Sequence, residues 1–184
     1  MNPTDAVPCA VVIDLHAKAC AELFAAYGLG AHVRREEERG ADPGRETYAS
    51  IVSATGEGIR LSSTMNLDAS LLARTHPSGA ADVSLADIED WCRELNNQLM
   101  GRLKNKLLRM GCEVATGLPV LVRGAGIKAV VARGIDHRQY FFTSEHGCMA
   151  FTLAMLFAPR FTFPAAAGTA DGEEVRLEGA LALF

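Results

Sequence analysis

Asp90, Glu94 and Asn97 stand at i, i+4 and i+7 in the run DWCRELNN, so on a helix they stack along one side. A carboxylate and a carboxamide three residues apart can position a water or hold a cation, and neither is a nucleophile. The next position on that stripe is Gly101, and a glycine in mid-helix costs up to about 1 kcal/mol relative to alanine. Two explanations offset that cost: close packing by a neighbouring strand, or clearance for an incoming partner. Spacing alone leaves both open, and most polar helix faces are only solvated. Asn96, beside Asn97, projects toward the core side and is read as structural, hydrogen-bonded to a strand.

Little else in the chain could carry chemistry. His146-Gly147-Cys148 offers two metal ligands but no second pair at suitable spacing, so no metal site is expected. Cys9, Cys20, Cys92, Cys112 and Cys148 are scattered singly, which fits reduced thiols acting as small apolar residues. A net charge of −4 argues against sequence-independent nucleic-acid binding, which needs a basic surface. The longest apolar stretch, Met149–Ala158, is interrupted by Thr152 and too short to span a bilayer. Asp5 precedes any basic residue, the reverse of a secretory signal, so a cytoplasmic location is expected.

The elements that must position the stripe follow from periodicity. At 184 residues the chain suits one domain with a sizeable core. Val11–Tyr27 reads as a first helix, stopped by Gly28 and Gly30. Arg34–Gly44 is a charged connector. Tyr48–Ala54 and Gly58–Thr64 read as two strands of a hairpin turning at Thr55-Gly56-Glu57-Gly58. Leu67–Arg74 is a short helix capped by Asn66 or Asp68, and His76–Ala81 a loop.

The segment Ser84–Pro119 reads as a long amphipathic helix. Ser84 and Asp87 open it with a capping box, and Leu85, Ile88, Trp91, Cys92, Leu95, Leu99, Leu103 and Leu107 carry the apolar period to Gly111. Beyond it, Glu113–Val122, with Pro119 marking an edge or strand start, and Ile127–Gly134 are further runs. Gln139–Thr143 and Gly147–Phe157 form a second antiparallel hairpin. The 159–184 tail is an extension or an added strand of the 1–158 domain. This order predicts an α+β fold, an antiparallel sheet with long helices packed on one face. No internal repeat is evident.

Asp90-x3-Glu94-x2-Asn97, followed after 21 residues by Pro119, resembles the signature of the CheC/CheX/FliY chemotaxis phosphatases. The interval to the proline is about one residue shorter than in that family, which points to a shortened loop near Gly111. The hairpin SIVSATGEGIRLSS, Gly101 and ATGLPVLVRG also fall where the family places similar elements. The resemblance covers roughly Val11 to Phe157. It implies removal of the phosphoryl group from the aspartate of a phosphorylated CheY-type response regulator. Asn97 would orient the attacking water, Glu94 would pair with the regulator's lysine, Asp90 would support the motif's start, and Pro119 would shape the nearby loop. The regulator would hold its own Mg2+, so this chain would need no cofactor.

CheC-type members carry the motif on two pseudo-symmetric helices. Here Glu22-Leu23-Phe24-Ala25 stands where a second Glu-x-x-Asn could sit, and alanine cannot orient water. That departure resembles the single-site CheX-like branch, and implies a homodimer formed through the sheets, with the apolar C-terminal strands offering an edge. The competing reading is a non-enzymatic CheX-like adaptor that binds a signalling or flagellar-switch partner.

Overall fold

The computed structural model describes residues 6–29, 32–34, 46–79, 83–144 and 147–164. The elements run α1 (Ala6–Ala26), β1 (His32–Arg34), β2 (Glu46–Gly56), β3 (Ile59–Leu67), α2 (Ala69–Thr75), α3 (Leu85–Leu108), β4 (Val114–Thr116), β5 (Val120–Ala125), β6 (Asp136–Ser144) and β7 (Gly147–Phe157). All pairings are antiparallel, in the order β1-β6-β7-β3-β2-β4, with β5 also paired to β2. Alternation decides which face the helices cover. Tyr48, Ser50, Val52 and Ala54 on β2, and Ile59, Leu61, Ser63, Met65 and Leu67 on β3, are buried. Their neighbours Ser53, Thr55 and Arg60 face the other way and are exposed. The fold is α+β with both long helices on one face of the sheet.

Several boundaries differ from the sequence reading for local reasons. The long helix stops at Leu108 rather than reaching Gly111 or Pro119, and Gly111, at φ +73°, turns the chain toward β4. Its N-terminus is as expected: Ser84 Oγ accepts from the Asp87 amide, and the Asp87 carboxylate accepts from the Ser84 amide. Hydrogen bonds from Ser84 hold the Asp87 carboxyl below its usual range. Leu85, assigned to the apolar stripe, is instead exposed at the helix start. The cap of α2 is Asp68, whose carboxylate accepts from the Leu71 amide at 3.0 Å. Ile127–Gly134 forms no strand, although the Ile127 carbonyl accepts from Asn66 Nδ2 at 3.4 Å. Residues 35–44 of the connector and 165–184 of the tail lie outside the described residues. Of the tail's first residues, Phe161 and Phe163 pack against the core.

The sheet order exposes an architecture the sequence hides. With α2 and the short β4 set aside, exchanging β1 with β5, β2 with β6 and β3 with β7 reproduces the same strand order reversed, which relates two αβββ units about a pseudo-twofold axis between β3 and β7. The β2–β3 hairpin turns over two residues between Gly56 and Ile59, and the β6–β7 register runs to Ser144 opposite Gly147. Consequently β6 and β7 are interior strands flanked by β1 and β3. The free edge that the C-terminal half offers is therefore β4/β5, where Val120 and Val122 are exposed, rather than β6 or β7; the other edge among the described strands is β1.

Gly56 marks the tightest backbone approach. A Cβ there would lie 2.3 Å from the Glu113 carbonyl oxygen, a backbone atom that cannot rotate away. Gly56→Ala is expected to destabilise the fold by about 1–3 kcal/mol, read as a lowered urea midpoint with an unchanged m-value.

Candidate functional site

Helix α3 presents the candidate residues because its other side is fixed to the sheet. Cys92, Leu95, Leu99, Met100, Leu103 and Leu107 are buried against β2, β3 and α1. Asn96 Nδ2 donates to the Ser50 carbonyl at 2.7 Å and the Ser63 carbonyl at 3.2 Å, the strand-bound structural role expected of it. That bond sets the rotation of the helix and turns Asn97 outward into solvent.

Along the outward stripe the residues differ in kind. Asp90 is exposed and paired with Arg93, one turn before Glu94. Glu94 is half-buried, and its Oε1 accepts from Gln98 Nε2 at 2.9 Å. Gln98 Oε1 in turn accepts from the Tyr27 hydroxyl at 2.8 Å. At Gly101 an added Cβ would meet nothing within 4 Å among the described residues, so none of them packs closely enough to require the glycine. Pro119 directly precedes β5, and β5 is tied to α3 through Arg123, whose guanidinium reaches Glu89 and Glu46. Gly117, just before it, donates its amide to the Ser53 carbonyl at 2.8 Å and anchors that loop to β2.

The twofold relation also tests the second motif. The buried positions Val12, His16, Ala19, Cys20 and Leu23 of α1 recur, each number raised by about 80, as Cys92, Asn96, Leu99, Met100 and Leu103 of α3. Asp14 and Ala17 therefore occupy the places of Glu94 and Asn97. The i,i+4 ion pair of Asp14 with Lys18 at 2.7 Å mirrors the Glu94–Gln98 bond. Glu22, proposed from sequence as the second motif's acid, instead pairs with Lys106 across the two helices. The correction leaves the consequence intact, since Ala17, like Ala25, has no carboxamide.

Sequence reasoning missed Tyr27 and Gln98. Gln98 was within reach as the i+4 neighbour of Glu94, whereas Tyr27 comes from the other helix and left no local signal. Also unforeseen was a buried cluster on α1. His16, wholly buried, bonds Ser63 Oγ through Nε2 at 2.9 Å and the Tyr140 hydroxyl through Nδ1, with Cys20 alongside. Burial lowers the His16 pKa to about 3 and raises the Cys92 thiol to about 12, so imidazole and thiol are both neutral near pH 7. Among the described residues no group of three or more His, Cys, Asp and Glu could hold a metal ion. No described helix is long and apolar enough to cross a membrane.

This arrangement of two antiparallel helices over a pseudo-symmetric sheet recurs in solved structures. A chemotaxis protein CheX from Vibrio vulnificus matches at TM-score 0.65 and 17% identity, over 78% of this chain and 95% of that one. The chain has the CheX/CheC fold. A CheC-like superfamily protein from Shewanella sp. PV-4 matches at TM-score 0.64 and 14% identity, covering 84% of this chain and 99% of that one. A CheX–CheY–BeF3–Mg2+ complex from Borrelia burgdorferi matches at TM-score 0.56 and 12% identity, over 79% and 95% of the two chains. No family model and no curated protein matches the sequence.

Proposed function

We propose that this chain hydrolyses the aspartyl phosphate of a CheY-type response regulator. The observation that carries the reading is the placement of an exposed Asn97 beside a half-buried, hydrogen-bonded Glu94, on a helix whose rotation Asn96 fixes. The CheX/CheC fold supports it, as does the existence of a CheX assembled with CheY, BeF3 and Mg2+. Acyl phosphate hydrolysis needs an in-line water and neutralised charge more than covalent chemistry. A regulator that brings its own Mg2+ leaves the phosphatase only positioning to supply. Asn97 orients the water through its carboxamide, and Glu94 holds the regulator's lysine. Asp90, tied to Arg93, and Pro119, at the head of β5, shape the surroundings.

Phosphate release from purified CheY-type regulators, phosphorylated by a small acyl phosphate, tests this. Acceleration over spontaneous loss is expected for at least one regulator; binding without acceleration selects the adaptor reading. Pairing of two copies has the β1 and β4/β5 edges available to it, and sedimentation would report the dimer.

The open space over Gly101 among the described residues supports a clearance role for the docked regulator. Gly101→Ala is then expected to stabilise the protein by up to about 1 kcal/mol and yet slow dephosphorylation. Thermal unfolding and phosphate release on the same sample check both signs, and a variant that is stabilised with full activity removes the clearance role.

A further inference from the structure

Glu94 has three rotatable side-chain bonds, and fixing such a side chain on docking costs up to about 1.5–2 kcal/mol if it is free beforehand. In this protein it is not free. Gln98 Nε2 donates to Glu94 Oε1 at 2.9 Å, while the Tyr27 hydroxyl donates to Gln98 Oε1 at 2.8 Å. A carboxylate can only accept, so Glu94 draws the Nε2 end of the amide toward it, and the Tyr27 hydroxyl then holds the Oε1 end by donating to it. Glu94 Oε1 is thereby occupied from within the chain, and Oε2 is left for a cation brought by a partner.

The seat of Tyr27 is rigid. It ends α1 in a Schellman motif: the Leu29 amide donates to the Phe24 carbonyl at 3.0 Å, and the Gly28 amide to the Ala25 carbonyl at 3.1 Å. Gly28 takes φ +71°, and Phe24 and Leu29 are both buried in the same core. The Tyr27 ring meets Trp91 edge to face at 5.3 Å, and Trp91 Nε1 donates to Thr75 Oγ1 at 2.9 Å. The hydroxyl is therefore held by α1, α2 and α3 together.

We propose that Tyr27 and Gln98 are positioning residues, a two-bond relay that orients Glu94 before the regulator docks. The inference rests on the phosphatase reading for its role in turnover, but the relay itself is a property of the free protein. Tyr27→Phe removes one hydroxyl and keeps the ring on Trp91; Gln98→Ala removes the amide. Each is expected to raise the KM for phosphorylated regulator roughly 3- to 10-fold, the worth of one hydrogen bond, with a smaller change in kcat. In a Glu94→Ala background neither should raise KM further, because both act through Glu94. Additive effects in that background, or an unchanged KM in both single variants, overturn the proposal. If no regulator is dephosphorylated or bound, the phosphatase reading fails by itself. The relay is then read in the free protein, from the Gln98 side-chain amide signals in a nitrogen–proton NMR spectrum. They should shift in both Tyr27→Phe and Glu94→Ala, and signals unmoved by either variant overturn the relay.

Discussion

Asn97→Ala is expected to slow regulator dephosphorylation about 100-fold or more while leaving the fold and its stability intact. The magnitude follows from what the residue is asked to do. The transition state for phosphoryl transfer is loose, with charge on the equatorial oxygens, and the catalyst contributes mainly the alignment of the attacking water. A single amide that supplies that alignment is missed in full when it is removed. The neutral effect on stability follows from geometry: the Asn97 side chain is exposed, and alanine is the better helix former. Its neighbour supplies the contrast. Asn96→Ala strips two strand carbonyls of their donor inside the core and should destabilise by about 1–3 kcal/mol. Stopped-flow phosphate release for both variants, beside circular dichroism melts, separates a lost water-positioning group from a lost fold. Asn97→Ala at wild-type rate would sink the mechanism.

The pair Asn96 and Asn97 also shows what the sequence made legible and where it stopped. Helical spacing puts one asparagine on the sheet side and one in water, and the structure agrees. The capping box at Ser84 and the cap at Asp68 were legible for the same reason, being interactions within a few residues. Leu85 was misread because periodicity gives direction around a helix but not how far its end overhangs the sheet. The twofold arrangement was hidden because its halves share burial and register rather than residue types: His16 stands opposite Asn96, and Asp14 opposite Glu94. Tyr27 was invisible because its partner is 71 positions away and only the antiparallel packing of α1 on α3 joins them. Local interactions and the sheet-facing side of a helix were readable; the particular distant partners that packing brings together, such as Tyr27 for Gln98, were not.

Acid is expected to destabilise this protein through His16, beginning near neutral pH. The imidazole is wholly buried among Ser63, Tyr140, Cys20 and Phe151, and burial lowers its pKa from 6.5 to about 3. In the unfolded chain it takes up a proton as the pH falls through 6.5; in the folded protein it does not until about 3. Between those values the unfolded state binds more protons, so stability rises with pH across the window and is lost as pH falls. The slope is about 1.4 kcal/mol per pH unit, so roughly 2 kcal/mol is lost by pH 5 and several by pH 3. Above 6.5 both states are neutral at this position and the contribution is flat. His16→Asn, which installs the residue found at the twofold-related position of α3, removes the titration. It is expected to be less stable at pH 7.5, with the Tyr140 hydroxyl and Ser63 less well satisfied, yet to show a shallower decline between pH 6.5 and 4. Urea unfolding of both proteins across that range measures the difference, and parallel curves would show that His16 is not the buried neutral group described. Because folded His16 stays neutral across that window, its bonds to Ser63 and Tyr140 persist, and acid moves the folding equilibrium without loosening the anchor of α1 on the sheet.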